Sequence, residues 1–347
     1  MIDLKKLCAI VQQNCHISDG LYAQDYGLCT YLMKMRELYR WEHSLPLTAS
    51  LPQADIGKWL TAREQLWAQL TEESFACLPV HHHCFDPFEA TAINQLLIPQ
   101  GMVYGGGYGQ FCKPLFFIAL LYQHQQRQGV DIIIADKEYA RDLTAPAAMT
   151  QGNTIFIRRE SLRRLLWERI EEWRWQKAQN PVQQQLESYW REQDLETTLD
   201  ELRDREVETL IDHELGEIQA GQLLGHQWEQ MLLALAGHQA ELLARAVRDH
   251  LADCLVTLPR LLAQQHPFSL LFYFSNLKGL RKTVFPALVN AFQQWLADSH
   301  QLESLAAVVR QGQDHWLATA QSFLALYAAD PQHSPVLISQ QKQYIIQ

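Results

Sequence analysis

Apolar residues recur at intervals of three and four along most of this chain, the period of a helix with one buried face. Residues 4–14 show it. So do residues 22–43, where Leu28, Tyr31, Leu32, Met35, Leu38 and Tyr39 fall on one side and Ser44-Leu45-Pro46 ends the run. Ser18 or Asp19 reads as the N-cap of the helix that begins at Tyr22. Residues 60–70 and 89–97 repeat the helical pattern, while 77–88, with Pro79, three consecutive histidines and Pro87, reads as irregular. The glycine-dense segment Gly101 to Gly109 reads as a tight turn ahead of a helix over Phe116 to Tyr122.

Two β-branched runs interrupt this pattern, Val130 to Ala135 and Thr154 to Ile157, and read as two short strands or one hairpin. From Glu160 onward helices are predicted over 160–178, 182–220, 226–236, 238–258, 268–274, 283–298, 301–310 and 314–329, with breaks at Asn180-Pro181, Gly221 to Gly225, Gly237, Pro259 and Pro267. The expected fold is mainly α and bundle-like, with a small β-hairpin or short two-stranded element near residues 130–157. The expected division is a mixed, mostly helical domain over 1–158 and an all-helical domain over 159–347.

One helical stripe changes character along its length. Leu195, Leu199, Leu202, Glu206, Leu210, His213 and Glu217 share a face, so an apolar seam continues as ionisable groups. Burying a lone carboxylate is costly, so such groups need partners or a cation. The following helix places His250 in the stripe Leu243, Ala246, Val247, His250, Cys254, with Asp253 three residues on. Two facing helices would then supply His213, Glu217, His250, Asp253 and Glu206 as ligands for a divalent metal, zinc or iron.

Two chemistries follow from that donor set. In a hydrolase, His213 and Glu217 ligate the ion and Glu214 is the general base on its water, with the third ligand coming from downstream. In a dinuclear carboxylate-bridged oxidoreductase, Glu206, His213, Glu217, His250 and Asp253 hold two ions. The competing expectation is a non-catalytic helical interaction protein in which arginines such as Arg205, Arg245 or Arg248 neutralise the stripe as buried salt bridges.

Composition narrows the setting. Of 347 residues, 48% are hydrophobic and 20% charged, an ordinary globular balance, and the net charge of -10 gives no electrostatic footprint for nucleic acid. Arg158-Arg159 and Arg163-Arg164 alternate with glutamates and read as a solvated helix face. The seven cysteines are scattered without a Cys-x-x-Cys pair, so no disulfide framework is expected and a reducing, bacterial-type cytoplasm fits. The most apolar window, Phe268 to Phe274, is too short to span a bilayer, so no membrane association is expected. Partner and oligomeric state are unknown at this level.

Smaller candidates remain. His81-His82-His83-Cys84 is a compact metal-capable run, and Gly105 to Gly109 is a possible ligand-approach loop without the P-loop ending. Cys15-His16 is a poor nucleophile pair, because sequence neighbours seldom reach the required geometry. Trp167, Trp173, Trp175 and Trp190 read as helix packing.

Residues 209–217 resemble the His-Glu-x-x-His helix of zinc metallopeptidases with its last His replaced by Glu217. Glu241, 28 residues past His213, resembles the third ligand of glutamate-type zinc peptidases. Over most of its length the chain resembles a bacterial protein family of unknown function. The resemblance rests on Asn14-Cys-His-Ile-Ser-Asp19, Leu32-Met-Lys-Met-Arg-Glu37, Tyr39-Arg-Trp-Glu42, His213-Glu-Leu-Gly-Glu217 and Arg245-Ala-Val-Arg-Asp-His-Leu-Ala-Asp-Cys254. It implies no activity.

Overall fold

The computed structural model describes residues 3–109, 112–176, 181–189, 194–264 and 266–340. The chain divides into two compact units, one of residues Met1–Lys177 and Gln193–Val207, the other of Ala178–Glu192 and Glu208–Gln347.

The first unit opens with three helices, α1 (Leu4–Tyr22), α2 (Leu28–Glu42) and α3 (Gln53–Leu70). A hairpin of β1 (Leu78–Val80) and β2 (His83–Phe85) follows, then α4 (Ala90–Leu97). Five strands come next: β3 (Met102–Tyr108), β4 (Pro114–Arg127), β5 (Val130–Arg141), β6 (Ala148–Gln151) and β7 (Thr154–Arg158), and the sheet is followed by α5 (Arg159–Gln176). The second unit is helical: α6 (Pro181–Ser188), the later part of α7 (Leu195–Leu224), α8 (His226–Ala234), α9 (Gln239–Ala252), α10 (Leu258–Gln264), α11 (Pro267–Asn276), α12 (Gly279–Val284), α13 (Pro286–Ala297), α14 (Leu302–Ala329) and α15 (Ser334–Gln340). One π-helical turn, Asp253–Thr257, links α9 to α10.

The mainly helical class stands, and the β-element lies where the β-branched runs put it. It is larger than a hairpin. The strand order is β3-β4-β5-β7-β6, and β5 pairs with β7 in parallel, so the two runs are neighbours without being a hairpin. β6 and β7 form the hairpin instead, across Gly152-Asn153. The expected helix over Phe116–Tyr122 is part of β4, and the expected glycine turn is β3. Phe116 and Ile118 face the core under α1 and α4, while Phe117 and Ala119 face the other side, the alternation of a strand buried on both faces. A window of apolar residues without polar interruptions has no readable period, so its sequence does not separate a buried strand from a helix.

The glycines of β3 answer to close neighbours. A Cβ at Gly105 would lie 2.0 Å from the Phe117 ring. Gly106 and Gly107 receive the Gln151 side chain, whose amide nitrogen donates to the Gly106 carbonyl and whose oxygen accepts from the Gly107 amide, each at 3.2 Å. β3 and β6 are the two edges of the sheet, so this contact shows that the sheet curls into a half-barrel with its edges bridged by one glutamine. Register shifts within β4, between Ile118 and Gln123, supply the bending.

Other boundaries moved. α1 runs on through Ser18 and Asp19, which therefore cap nothing. Residues 301–310 and 314–329 are one helix, α14. Residues 77–88 hold the β1–β2 hairpin, closed by a disulfide between Cys77 and Cys84 that the cysteine spacing did not suggest. The other five cysteines are free. No helix among the described residues is long and apolar enough to cross a membrane.

Two outcomes are expected. Gly105→Ala forces a methyl against the Phe117 ring and lowers stability by about 1–3 kcal/mol in denaturant titrations, an effect that Phe117→Leu in the same chain relieves. Cys84→Ser frees the hairpin loop and costs about 2–3 kcal/mol by the loop-closure argument, measured against the oxidised wild type.

Candidate functional site

α7 and α9 cross closely in the second unit. A Cβ on Gly216 would lie 2.6 Å from the Ala252 carbonyl oxygen, so only glycine permits the approach. This explains the glycine in His213-Glu-Leu-Gly-Glu217, and it brings His213 to Asp253 at the start of the π turn.

Asp253 is fully buried. Its Oδ1 accepts from His213 Nδ1 at 3.2 Å, and its Oδ2 accepts from the Tyr273 hydroxyl at 2.6 Å and from the Arg281 guanidinium. The other ring nitrogen of His213 faces Glu217 Oε1 at 3.4 Å, and Glu217 Oε2 lies 3.3 Å from Arg248, which also approaches Asp249 at 3.8 Å. The cluster is thus a chain of alternating charge: Arg281, Asp253, His213, Glu217, Arg248, Asp249.

Its electrostatics follow from burial and from these contacts. Burial disfavours the Asp253 carboxylate, but Arg281, and after it His213 and Tyr273, overcome that penalty and hold its pKa well below the ordinary carboxylate range. Burial likewise opposes charge on His213, yet hydrogen bonds to Asp253 and Glu217 raise its pKa well above the usual imidazole value. His213 is therefore an imidazolium at neutral pH and donates from both nitrogens.

The geometry overturns the metal expectation. The two carboxylates lie on opposite edges of the His213 ring, Asp253 at Nδ1 and Glu217 at Nε2, so they cannot share one cation with it. Among the described residues no group of three or more His, Cys, Asp or Glu side chains could hold a metal ion. His250 points elsewhere. It is fully buried, its Nε2 donates to the Arg281 carbonyl at 2.8 Å, and its ring stacks on Trp316 with centroids 4.9 Å apart. Burial, with Arg281 adding to it, pushes its pKa down to about 4 and keeps it neutral. Glu206 is buried in the part of α7 that belongs to the first unit. Glu214 is buried too, and its general-base role was tied to a metal site that the described residues do not form. Glu241 caps α9, accepting from the Gly237 amide at 2.9 Å and pairing with Arg245 at 2.8 Å. The zinc or iron cofactor, the metal-dependent hydrolase and the dinuclear oxidoreductase all fall with the donor set. His81, His82 and His83 sit exposed at the β1–β2 hairpin, His81 in the left-handed region at φ 56°.

The first unit holds a second charge network that sequence reasoning missed. Arg158 and Glu138, both fully buried, form a two-pronged pair at 3.0 and 2.8 Å, and Ser161 adds a third bond to Glu138 at 2.7 Å. Asp19 accepts from Lys113 at 3.1 Å and from the Leu143 amide at 2.8 Å, and burial pushes its pKa up to about 6 against the pull of Lys113. Arg158, Arg159 and Arg164 are all buried, so they are not the solvated face expected of them. Cys15 donates to the Phe116 carbonyl at 3.1 Å and its thiol is held protonated by burial, while burial and Arg63 depress His16 to about 4. The signal was present in Asn14 to Asp19: polar residues every three or four positions inside an apolar helix. Trp167 and Trp173 are buried as expected; Trp175 keeps its place in α5, and the side chains of Trp175 and Trp190 lie outside the described residues.

Residues 6–158 match the family of unknown function (DUF6866) N-terminal domain, and residues 163–343 match the corresponding C-terminal domain. The chain belongs to that family. No curated protein matches it, and no solved structure does.

The cluster makes a pH prediction with a definite sign. His213 has a raised folded-state pKa, so its stabilisation is complete below about pH 6.5 and is lost as pH rises through the folded value. Asp253 has a depressed one, so its contribution is complete above about pH 4 and is lost as pH falls through the folded value. The stability difference between wild type and His213→Gln should therefore be flat across mildly acidic pH and shrink on the alkaline side, as read by urea unfolding at stepped pH. Asp253→Asn should cost about 3–5 kcal/mol at neutral pH, because it strands Arg281.

Proposed function

We propose that the protein is a non-catalytic helical interaction protein of a reducing cytoplasm. One observation carries the reading: the ionisable seam of the second unit closes on itself. Asp253 is met by Arg281, Tyr273 and His213, and Glu217 by His213 and Arg248, so the seam's charges are spent on holding helices together. Five free thiols support that compartment, and the Cys77–Cys84 disulfide is the observation that weighs against it.

The binding surface lies in the first unit, where α1, α2 and α3 leave a groove of about 570 Å³. Tyr26, Tyr31 and Trp67 line it, and Leu28, 72% exposed, stands on its rim. A helical groove with apolar walls suits an amphipathic helix laid along it. Its charge selects the partner. Glu64 is in the groove, Asp25 is exposed in the turn between α1 and α2, and Glu72 and Glu73 follow its far end at Thr71. Two lysines approach the Tyr26 ring, Lys34 at 5.5 Å and Lys113 at 5.7 Å, and Lys113 is paired with Asp19. The occupant is a partner helix with a basic face beside its apolar one.

A panel of basic amphipathic helical peptides titrated by fluorescence anisotropy tests this. Wild type should bind members of the panel, Leu28→Glu should weaken them tenfold or more, and His213→Gln should leave them unchanged. Equal binding by wild type and Leu28→Glu, or none by wild type, rules the reading out.

A further inference from the structure

We propose that the open end of the half-barrel is a small-molecule site for a flat, bicyclic heteroaromatic that presents N–H donors at one edge. The cavity lies between α4 and the strands β5, β6 and β7 and has a volume of about 320 Å³. That is roughly twice the ~150 Å³ cavity that holds a single benzene, and it falls within the range of ligand pockets, which favour the mouths of barrels.

The floor is apolar and flat-sided. Ile133, Phe156 and Ile98 supply it, and all belong to or pack on the cluster inside the half-barrel. The walls are polar side chains already fixed by other bonds. Asn94 spans the Tyr104 backbone, donating to its carbonyl at 2.7 Å and accepting from its amide at 2.8 Å. Gln151 is fixed across Gly106 and Gly107. At the mouth Asp131 accepts from Gln126 at 2.8 Å and lies 3.4 Å from His124 Nε2, both through Oδ1. These bonds prepare the site before any ligand arrives, which lowers the entropy cost of binding.

Charge and hydrogen-bond capacity define the ligand. Asp131 is the single acid among the lining residues, and no lysine or arginine lines the cavity. A carboxylate or phosphate would meet Asp131 without a cation to receive it. A ring bearing N–H groups would instead place them on the Asp131 carboxylate, a charge-assisted bond, while its faces cover Ile133 and Phe156. The exposed Thr91 hydroxyl, on α4, guards the same opening.

The test uses the full chain and 2-aminobenzimidazole as probe, with 8-anilinonaphthalene-1-sulfonate as the anionic counterpart, both followed by calorimetry. Wild type should bind the amine at submillimolar concentration and the sulfonate at least tenfold more weakly. Asp131→Asn should weaken the amine tenfold or more, and Thr91→Trp, an exposed substitution that blocks the opening, should abolish its binding. Thr61→Trp on the exposed side of α3 should leave it intact. Failure of the amine to bind wild type, indifference to both Asp131→Asn and Thr91→Trp, or equal affinity for the sulfonate would each overturn the proposal. None of these outcomes bears on the helical groove, whose disabling variant, Leu28→Glu, lies on α2.

Discussion

A carboxylate sealed from water must be met by donors inside the protein or it will not stay ionised. Asp253 is such a group, and it is met from three directions by Arg281, Tyr273 and His213. Those partners come from α12, α11 and α7, while Asp253 itself terminates α9. One buried charge thus fixes the relation of four helices. The π turn at Asp253 shifts the helical register at this point, and such single-turn insertions are typical of places where a helix must present one side chain out of phase. The glycine at 216 is the steric counterpart. Without it the helices stand further apart and His213 cannot reach.

The first unit solves the same problem with different parts. Its buried pair, Arg158 with Glu138, links adjacent strands near the start of α5, and Ser161 on α5 ties the helix to the same carboxylate. The Arg158 guanidinium also lies over the Phe117 ring, 4.3 Å from its centroid. That ring in turn occupies the space that Gly105 leaves empty. Curvature of the half-barrel, burial of the arginine and the glycine content of β3 are therefore one packing problem. Changing any one of them changes the space available to the other two. Buried ion pairs are weak sources of net stability, because desolvation offsets attraction, but they are strict about geometry. Here they define which strand and which helix end come together.

The sequence disclosed the helices well because their apolar faces have a period that survives without tertiary context. It also disclosed that His213 and Glu217 interrupt an apolar seam. It could not disclose what neutralises them, since Arg281 lies 64 positions beyond Glu217 and on a short helix with no pattern of its own. Arg248, one of the arginines expected to neutralise the stripe, does reach Glu217. His250 shows the limit of position as a guide. Its place in the apolar stripe was read correctly, and its burial is complete, but a neutral imidazole stacked on Trp316 satisfies that place as well as a ligand would. The strands fared worse for a related reason. β3 and the first half of β4 are glycine-rich or apolar on both faces, so neither period stands out, although each strand pairs with its neighbour in sequence.

Rigid polar groups distinguish the half-barrel cavity from the ion clusters. In the seam around Asp253, each charge is consumed by an opposite charge, and the arrangement leaves nothing over for a visitor. Around the cavity, Asn94 and Gln151 are consumed by backbone, which leaves their aliphatic portions and the adjoining apolar floor as a fixed wall. Asp131 is held by neutral Gln126 and by His124, and no guanidinium or ammonium lines the cavity with it. Gln126 and His124 both meet Asp131 through Oδ1, whereas Asp253 is met through both of its oxygens. The same elementary requirement, that charge be answered where it is buried, makes one cluster a structural lock and leaves the other with capacity to bind.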